Sequence, residues 1–193
     1  GGAVHGATRL GAIDSTTALV RHEINSRFDA TGGYAQFGID PNAARPMDER
    51  DELNVVVHET RLTSAPDAAL PWFLGFFFAD GDNQSARILR DGALGAWPAI
   101  AYQEHRTDAI DEMALFGQAT WQVAPRLTLS TGVRLFQYDI KVTSDVDEPI
   151  LGLSAPFAGR LTDRGAAPDV RLTYQLSDAM LFYLAASEGY RSA

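Results

Sequence analysis

The sequence predicts an all-β protein of the transmembrane-barrel class, an antiparallel wall of about eight strands with short turns on one rim and long loops on the other. Three observations carry the prediction. Apolar and polar residues alternate with a period of two over stretches longer than ordinary strands. The connections alternate in length, tight at Ser64–Leu70, Ala124–Arg126 and Ser177–Ala179 and long at Gln84–Ile100 and Ser144–Gly159. Aromatic residues gather beside the tight turns, as Trp72, Trp121, Tyr174, Phe182 and Tyr183.

Residues 1–50 carry the weakest pattern. Thr16–Phe28 and Gly33–Ile39 read as strands separated by Asp29, Ala30, Thr31 and Gly32, and Asp40–Arg50, with Pro41 and Pro46, reads as an exposed loop. Leu53–Thr63 alternates in part, with Leu53, Val55 and Val57 opposing Asn54, Val56 and His58. Pro71–Asn83 is a strand richer in apolar residues, and Ala101–Val123 follows the first long loop. Within it Leu115, Gly117, Ala119, Trp121 and Val123 share one face, opposite Gln118, Thr120 and Gln122. After the turn at Pro125, Leu127, Leu129, Thr131, Val133 and Leu135 alternate with Arg126, Thr128, Ser130, Gly132 and Arg134 along a strand to Val142. Asp169–Leu176 repeats the grammar, and Ala179–Tyr190 closes the series.

A soluble sandwich also alternates, because each sheet buries one face. Length separates the cases: soluble strands run about 5 to 6 residues, whereas a tilted membrane strand needs about 9 to 11. Ala101–Val123 and Leu127–Val142 exceed the soluble range. Membrane interfaces collect amphipathic rings at headgroup depth, so Trp72, Trp121, Tyr174, Phe182 and Tyr183 are candidate belt residues of the tight-turn rim. Phe136 and Tyr138 share parity with Arg134 and so point into the lumen. Arg126, Arg134 and Arg171 are candidate lumen-facing residues, since an arginine turned to lipid costs about 2 to 4 kcal/mol at the midplane. They pair with acidic groups inside the barrel or line the path of an anionic ligand.

Composition removes other classes. The chain has 193 residues, 46% of them hydrophobic, and no Cys. Its longest apolar stretch, Ala68–Ala79, is broken by Pro71 and is too short for a membrane helix. A net charge of −9 excludes a nucleic-acid partner, which requires a basic face. Acidic residues collect at Asp48–Glu52, Asp80–Asp82 and Asp145–Glu148, expected to be solvated loop charge. The four histidines, His5, His22, His58 and His105, lack metal-ligand spacing. Asp80, Gly81, Asp82 and Asn83 resemble part of a calcium loop without its terminal Glu and read as a polar turn. No nucleophile elbow, phosphate loop or Cys nucleophile is present, so neither catalysis nor a cofactor is expected.

The segments LFGQATWQVAPRLTLSTGVR and PDVRLTYQLSDAMLFYLAASEGYR resemble the recurring strand, turn and strand of the TonB-dependent receptors. In that pattern "FGQ" opens one strand, "GxR" closes the next and "GYR" ends a later one. The resemblance covers about residues 50–193. It implies an outer-membrane receptor of a Gram-negative cell, with lipid around it and a TonB complex energising uptake of a ferric siderophore or another scarce nutrient such as cobalamin or a glycan. Ligand specificity would lie in the loops and the plug.

The family's plug domain and TonB-contacting segment have no counterpart here, and the chain ends at Ser192 and Ala193 without a terminal aromatic. The expectation is therefore part of a barrel wall spanning residues 1–193, because barrels of this type use about 22 strands. Open edges leave backbone groups that a bilayer cannot satisfy, so the segment alone is expected not to insert. Two rival architectures remain. A closed small barrel, structural or adhesive, requires pairing between the two ends of the chain. A secreted carbohydrate-binding sandwich requires Leu127, Leu129, Val133 and Leu135 in a two-sheet core.

Overall fold

A computed structural model describes residues 1–32, 43–92, 99–149 and 151–189. They form one antiparallel sheet of eight strands in sequence order: β1 (Gly2–Thr8), β2 (Gly11–Asp29), β3 (Pro46–Ser64), β4 (Trp72–Asp91), β5 (Ala99–Ala124), β6 (Leu127–Glu148), β7 (Leu153–Ser177) and β8 (Met180–Ser187). Each strand pairs with its chain neighbours, and among the described residues β1 and β8 do not pair with each other. The sheet is open, so the closed small barrel is not formed. No second sheet faces it among the described residues, which removes the sandwich. Leu115 and Leu135 are more than half exposed.

Short turns at Arg9–Leu10, Pro125–Arg126 and Asp178–Ala179, with the slightly longer Ala65–Pro71, all lie on one edge. Gly11 takes φ +142° just after the first of these turns, where a Cβ would lie 1.9 Å from the Thr63 carbonyl oxygen, so no side chain fits. Three expected loops are shorter than the sequence suggests. Gln84–Asp91 belongs to β4, Ser144–Glu148 and Leu153–Gly159 belong to β6 and β7, and Pro46–Arg50 opens β3 opposite Asp29. These segments lack a sustained apolar row on the outer face, and Pro46 and Pro156 punctuate two of them, which disguises them as loops. Pro46 stands at a strand start, where a missing N–H is tolerated. Asp80–Asn83 lies within β4 rather than in a turn, and β7 begins at Leu153, well before Asp169. The sequence pattern gives no sign of the β1–β2 hairpin, and the expected strand Gly33–Ile39 lies outside the described residues.

Register shows how the two faces differ. Leu89, Ala114 and Tyr138 are buried, as are Ser85, Glu112 and Ser144, and all six lie on the same face. In a single sheet with no covering layer, shielding of one face arises when its side chains converge. The wall therefore curves toward that face, which we call the inner one. On the outer face a band of apolar side chains runs from Met113 to Val123 on β5 and from Leu127 to Leu135 on β6. These spans are 11 and 9 residues, the length of a tilted membrane crossing, about 9 to 11 residues. β5 itself has 26 residues, so more than half of it extends beyond the band toward the longer-loop edge.

Candidate functional site

The inner face carries two polar clusters, one at the level of the band and one near the longer-loop edge. Band-level register places Arg61, Gly75, Phe116 and Arg134 side by side across β3–β6. Gly75 is the reason they fit, since a Cβ there would lie 2.3 Å from the Phe116 ring. Phe116 fills that space. The Arg61 guanidinium sits 4.8 Å from the Phe73 ring centre and 5.7 Å from Phe116. Arg134 lies 4.8 Å from Phe77 and 5.5 Å from Phe116, and donates to Glu112 at 2.8 Å. Phe73 and Phe116 meet edge to face at 6.1 Å. A guanidinium held over a ring face keeps its in-plane N–H donors available to an acceptor. Arg61 is 44% exposed.

The second cluster surrounds Glu104. It accepts from Arg87 (3.1 Å), Tyr102 (3.0 Å) and Ser144 (3.0 Å), while Arg87 also donates to Glu49 at 2.6 Å. Burial pushes the Glu104 carboxyl up, but the hydrogen bonds from Tyr102, Ser144 and Arg87 outweigh it and hold it below the ordinary carboxylate value. Burial first, then the bond to Glu104, raise the Tyr102 phenol to about 12, so it remains a donor at neutral pH. A third knot lies at the rim. Arg45 is 1% exposed, its Nε donating to Asp91 at 3.2 Å and its Nη1 to the Ala43 carbonyl at 3.2 Å.

The sequence-predicted residues fall as follows. Arg134 is in the band-level cluster. Arg126 occupies the β5–β6 turn, where its Nη1 donates to the Leu176 carbonyl at 3.0 Å. Arg171 shares the inner face, opposite Ser130 on one side and Ala185 on the other. The three are not brought together. Trp72, Trp121, Tyr174 and Phe182 share the outer face near the short-turn edge, whereas Tyr183, paired with Thr173, has inner-face parity. Phe136 and Tyr138 lie on the inner face and stack at 6.1 Å.

Sequence reasoning misses Arg61, Phe73, Phe77, Phe116, Arg87 and Glu104. Parity alone would find Arg61, which continues the row of Leu53, Val55 and Val57. His58 sits on the outer face, bridging Thr17 at 2.8 Å and Thr60 at 3.0 Å. Among the described residues no group of three or more His, Asp or Glu side chains is arranged to hold a metal ion.

Comparison with known proteins places this geometry. A family model described as TonB dependent receptor-like, beta-barrel matches residues 8–193. No curated protein sequence matches the chain. Among solved structures, the fold resembles the crystal structure of the ferric yersiniabactin uptake receptor FyuA from Yersinia pestis, with a TM-score of 0.78 at 14% identity, covering 94% of this chain and 26% of that one. The chain thus spans about a quarter of that receptor's length, and likeness at this identity is a likeness of fold.

Proposed function

This chain belongs to the TonB-dependent receptor β-barrel family, and on that premise we propose that it forms part of the wall of a Gram-negative outer-membrane receptor. In the intact protein that receptor imports a ferric siderophore or a comparably scarce nutrient. The TonB complex energises uptake through a segment outside this chain. The observation that carries the reading is the outer apolar band of 9 to 11 residues, backed on the opposite face by guanidinium and carboxylate groups. Lipid contacts the band, and the inner face lines the lumen. Yersiniabactin uptake is a property of FyuA; for this chain the ferric chelate is a proposed ligand class.

Arginines on the inner face suit such a ligand, since ferric siderophores present carboxylate, catecholate or hydroxamate oxygens that accept hydrogen bonds. Arg61 and Arg134, held on rings at band level, present donors in fixed directions. The test is uptake of radio-iron chelates by cells carrying or lacking the gene, with and without a protonophore. The expected outcome is loss of at least one chelate on deletion and the same loss with protonophore. Uptake of every chelate unchanged by deletion sinks the proposal. In the intact receptor, Arg134→Leu is expected to weaken uptake several-fold. Unchanged uptake with a lowered melting temperature would make Arg134 a purely structural partner of Glu112.

A further inference from the structure

Above the outer band the two faces exchange character. Outward, one register row reads Arg21, Asn54, Asp82, Ala109, Lys141 and Arg160. Inward, the neighbouring row reads Val20, Val55, Gly81, Ile110, Ile140 and Leu161. Water bathes both sides of a wall at that height, so an apolar row stays wet unless something covers it. Its central position is a glycine. A Cβ at Gly81 would lie 3.3 Å from Val55 Cγ2, closer than ordinary packing, and 3.6 Å from Ile110 Cγ2, so glycine lets these side chains close in and leaves the low floor of a recess between them. The recess is a cleft of about 420 Å³ walled by Val55, Ile110, Ile140 and Val142, with Asn83, Arg106 and Asp108 among its polar lining.

The form of the cleft selects its occupant. Protein interfaces are broad, about 800 Å² per partner, whereas small-molecule sites are concave, about 300 to 1,000 Å³, mostly apolar, with a few convergent polar groups. This cleft has the second form. Its polar edge favours a particular substituent. Asp108 is engaged, both oxygens accepting from Arg106 Nε at 2.9 and 3.0 Å, while the Arg106 side chain stays 42% exposed. Arginine offers only donors, so a group meeting it must accept.

We propose that the cleft at Gly81 is a subsite for an aromatic or branched aliphatic group of the imported ligand, one that bears an acceptor oxygen such as a carboxylate or phenolate. This rests on the reading of the inner face as the lumen. The ring packs on Val55, Ile110 and Ile140, and the oxygen reaches Arg106 or Asn83. The subsite stands two register rows above the row of Glu112 and Tyr138 and is separate from the Arg61 and Arg134 cluster.

The test uses the intact receptor in lipid nanodiscs and naphthalene-2-carboxylate as the probe, with acetate as the acid lacking an apolar body, each followed by saturation-transfer NMR. Subtracting a variant from the wild type removes partitioning into lipid. The wild type is expected to bind naphthoate and not acetate, and Gly81→Leu, which fills the cleft, to weaken binding tenfold or more. If that variant does not refold, Ile140→Ala serves instead, because it removes one apolar wall of the cleft and should weaken naphthoate binding several-fold. Equal binding by wild type and variant overturns the proposal, as does acetate binding as well as naphthoate. Absence of binding to the intact wild type also overturns it. Iron uptake is a separate readout. Naphthoate binding without protonophore-sensitive uptake would spare the subsite and sink the receptor reading.

Discussion

The wall obeys opposite rules below and above one level. Below it, from Val123 to Met113 on β5, the outer side chains are Trp121, Leu115 and their neighbours, while the inner ones are Gln118, Phe116 and, across the ladder, Arg134. Above it, the outer face is crossed by ion pairs: Arg21 with Glu52 at 2.9 Å, Arg50 with Glu23 at 3.0 Å, and Arg160 with Asp139 at 2.6 Å. Val55, Ile110, Ile140 and Val142 there have turned inward. Nothing in the backbone changes between the halves, since β4, β5 and β6 run through both. What changes is the medium beyond the outer face. An apolar side chain gains from facing out only where that medium is hydrocarbon, and the reversal marks the height at which hydrocarbon ends.

That contrast can be broken in order of expected effect. The largest belongs to the upper half, whose buried charge Arg45 is held by Asp91. In the intact receptor Arg45→Leu should cost about 3 to 5 kcal/mol by removing one partner of a largely buried ion pair. Amide exchange should accelerate at 30, 44–45 and 91–92 while the band stays protected; uniform loosening of the whole wall would refute two separable halves. Next, Leu115→Arg should destabilise the receptor by about 2 to 4 kcal/mol in urea titrations with liposomes. Ala109→Arg, on the same face six register rows higher, should change it by less than about 0.5 kcal/mol. Equal costs would place both residues in the same medium.

Acid offers a third probe. Glu104 has a depressed pKa in the folded state, so its stabilisation is complete above the ordinary carboxylate value of 4.5 and is lost as the pH falls through the lower folded value. Glu104→Gln should weaken the upper half by about 1.5 to 3 kcal/mol at pH 7 and flatten that acid dependence. The measurement is exchange at residues 87, 102 and 144 across pH 3 to 6; an identical acid profile in the variant excludes Glu104 as the titrating group. The smallest effect is expected for Lys141→Ala. The Lys141 side chain is half exposed and its contacts to Asp111 and Asp139, at 3.9 and 3.7 Å, are long, so they are worth less than about 1 kcal/mol.

The same contrast decides what the sequence could reveal. Strands within the band are legible because period-two alternation between lipid and a polar interior is strong, as at Leu127–Leu135. The upper halves of β4, β6 and β7 read as loops because water on the outer side removes the apolar rows that mark a strand. Leu53, Val55 and Val57 show the other limit. Alternation tells which residues share a face but not which face, and here the apolar row is the inner one. Arg134 is readable from parity because it stands between Val133 and Leu135 of the apolar row, and Arg61 from the row of Val55 and Val57, whereas Phe116 becomes visible only when register sets it against Gly75. The Glu104 cluster draws on β3, β4, β5 and β6, a convergence that no local pattern encodes.

Strand order carries a consequence for how the wall assembles. Since every strand lies beside its immediate predecessor and successor, each new ribbon needs closure of one hairpin and no distant search, so loop-closure entropy stays small at every step. A sheet of this kind can grow like a zip, one tooth at a time, with the nascent edge always serving as the template for the next segment.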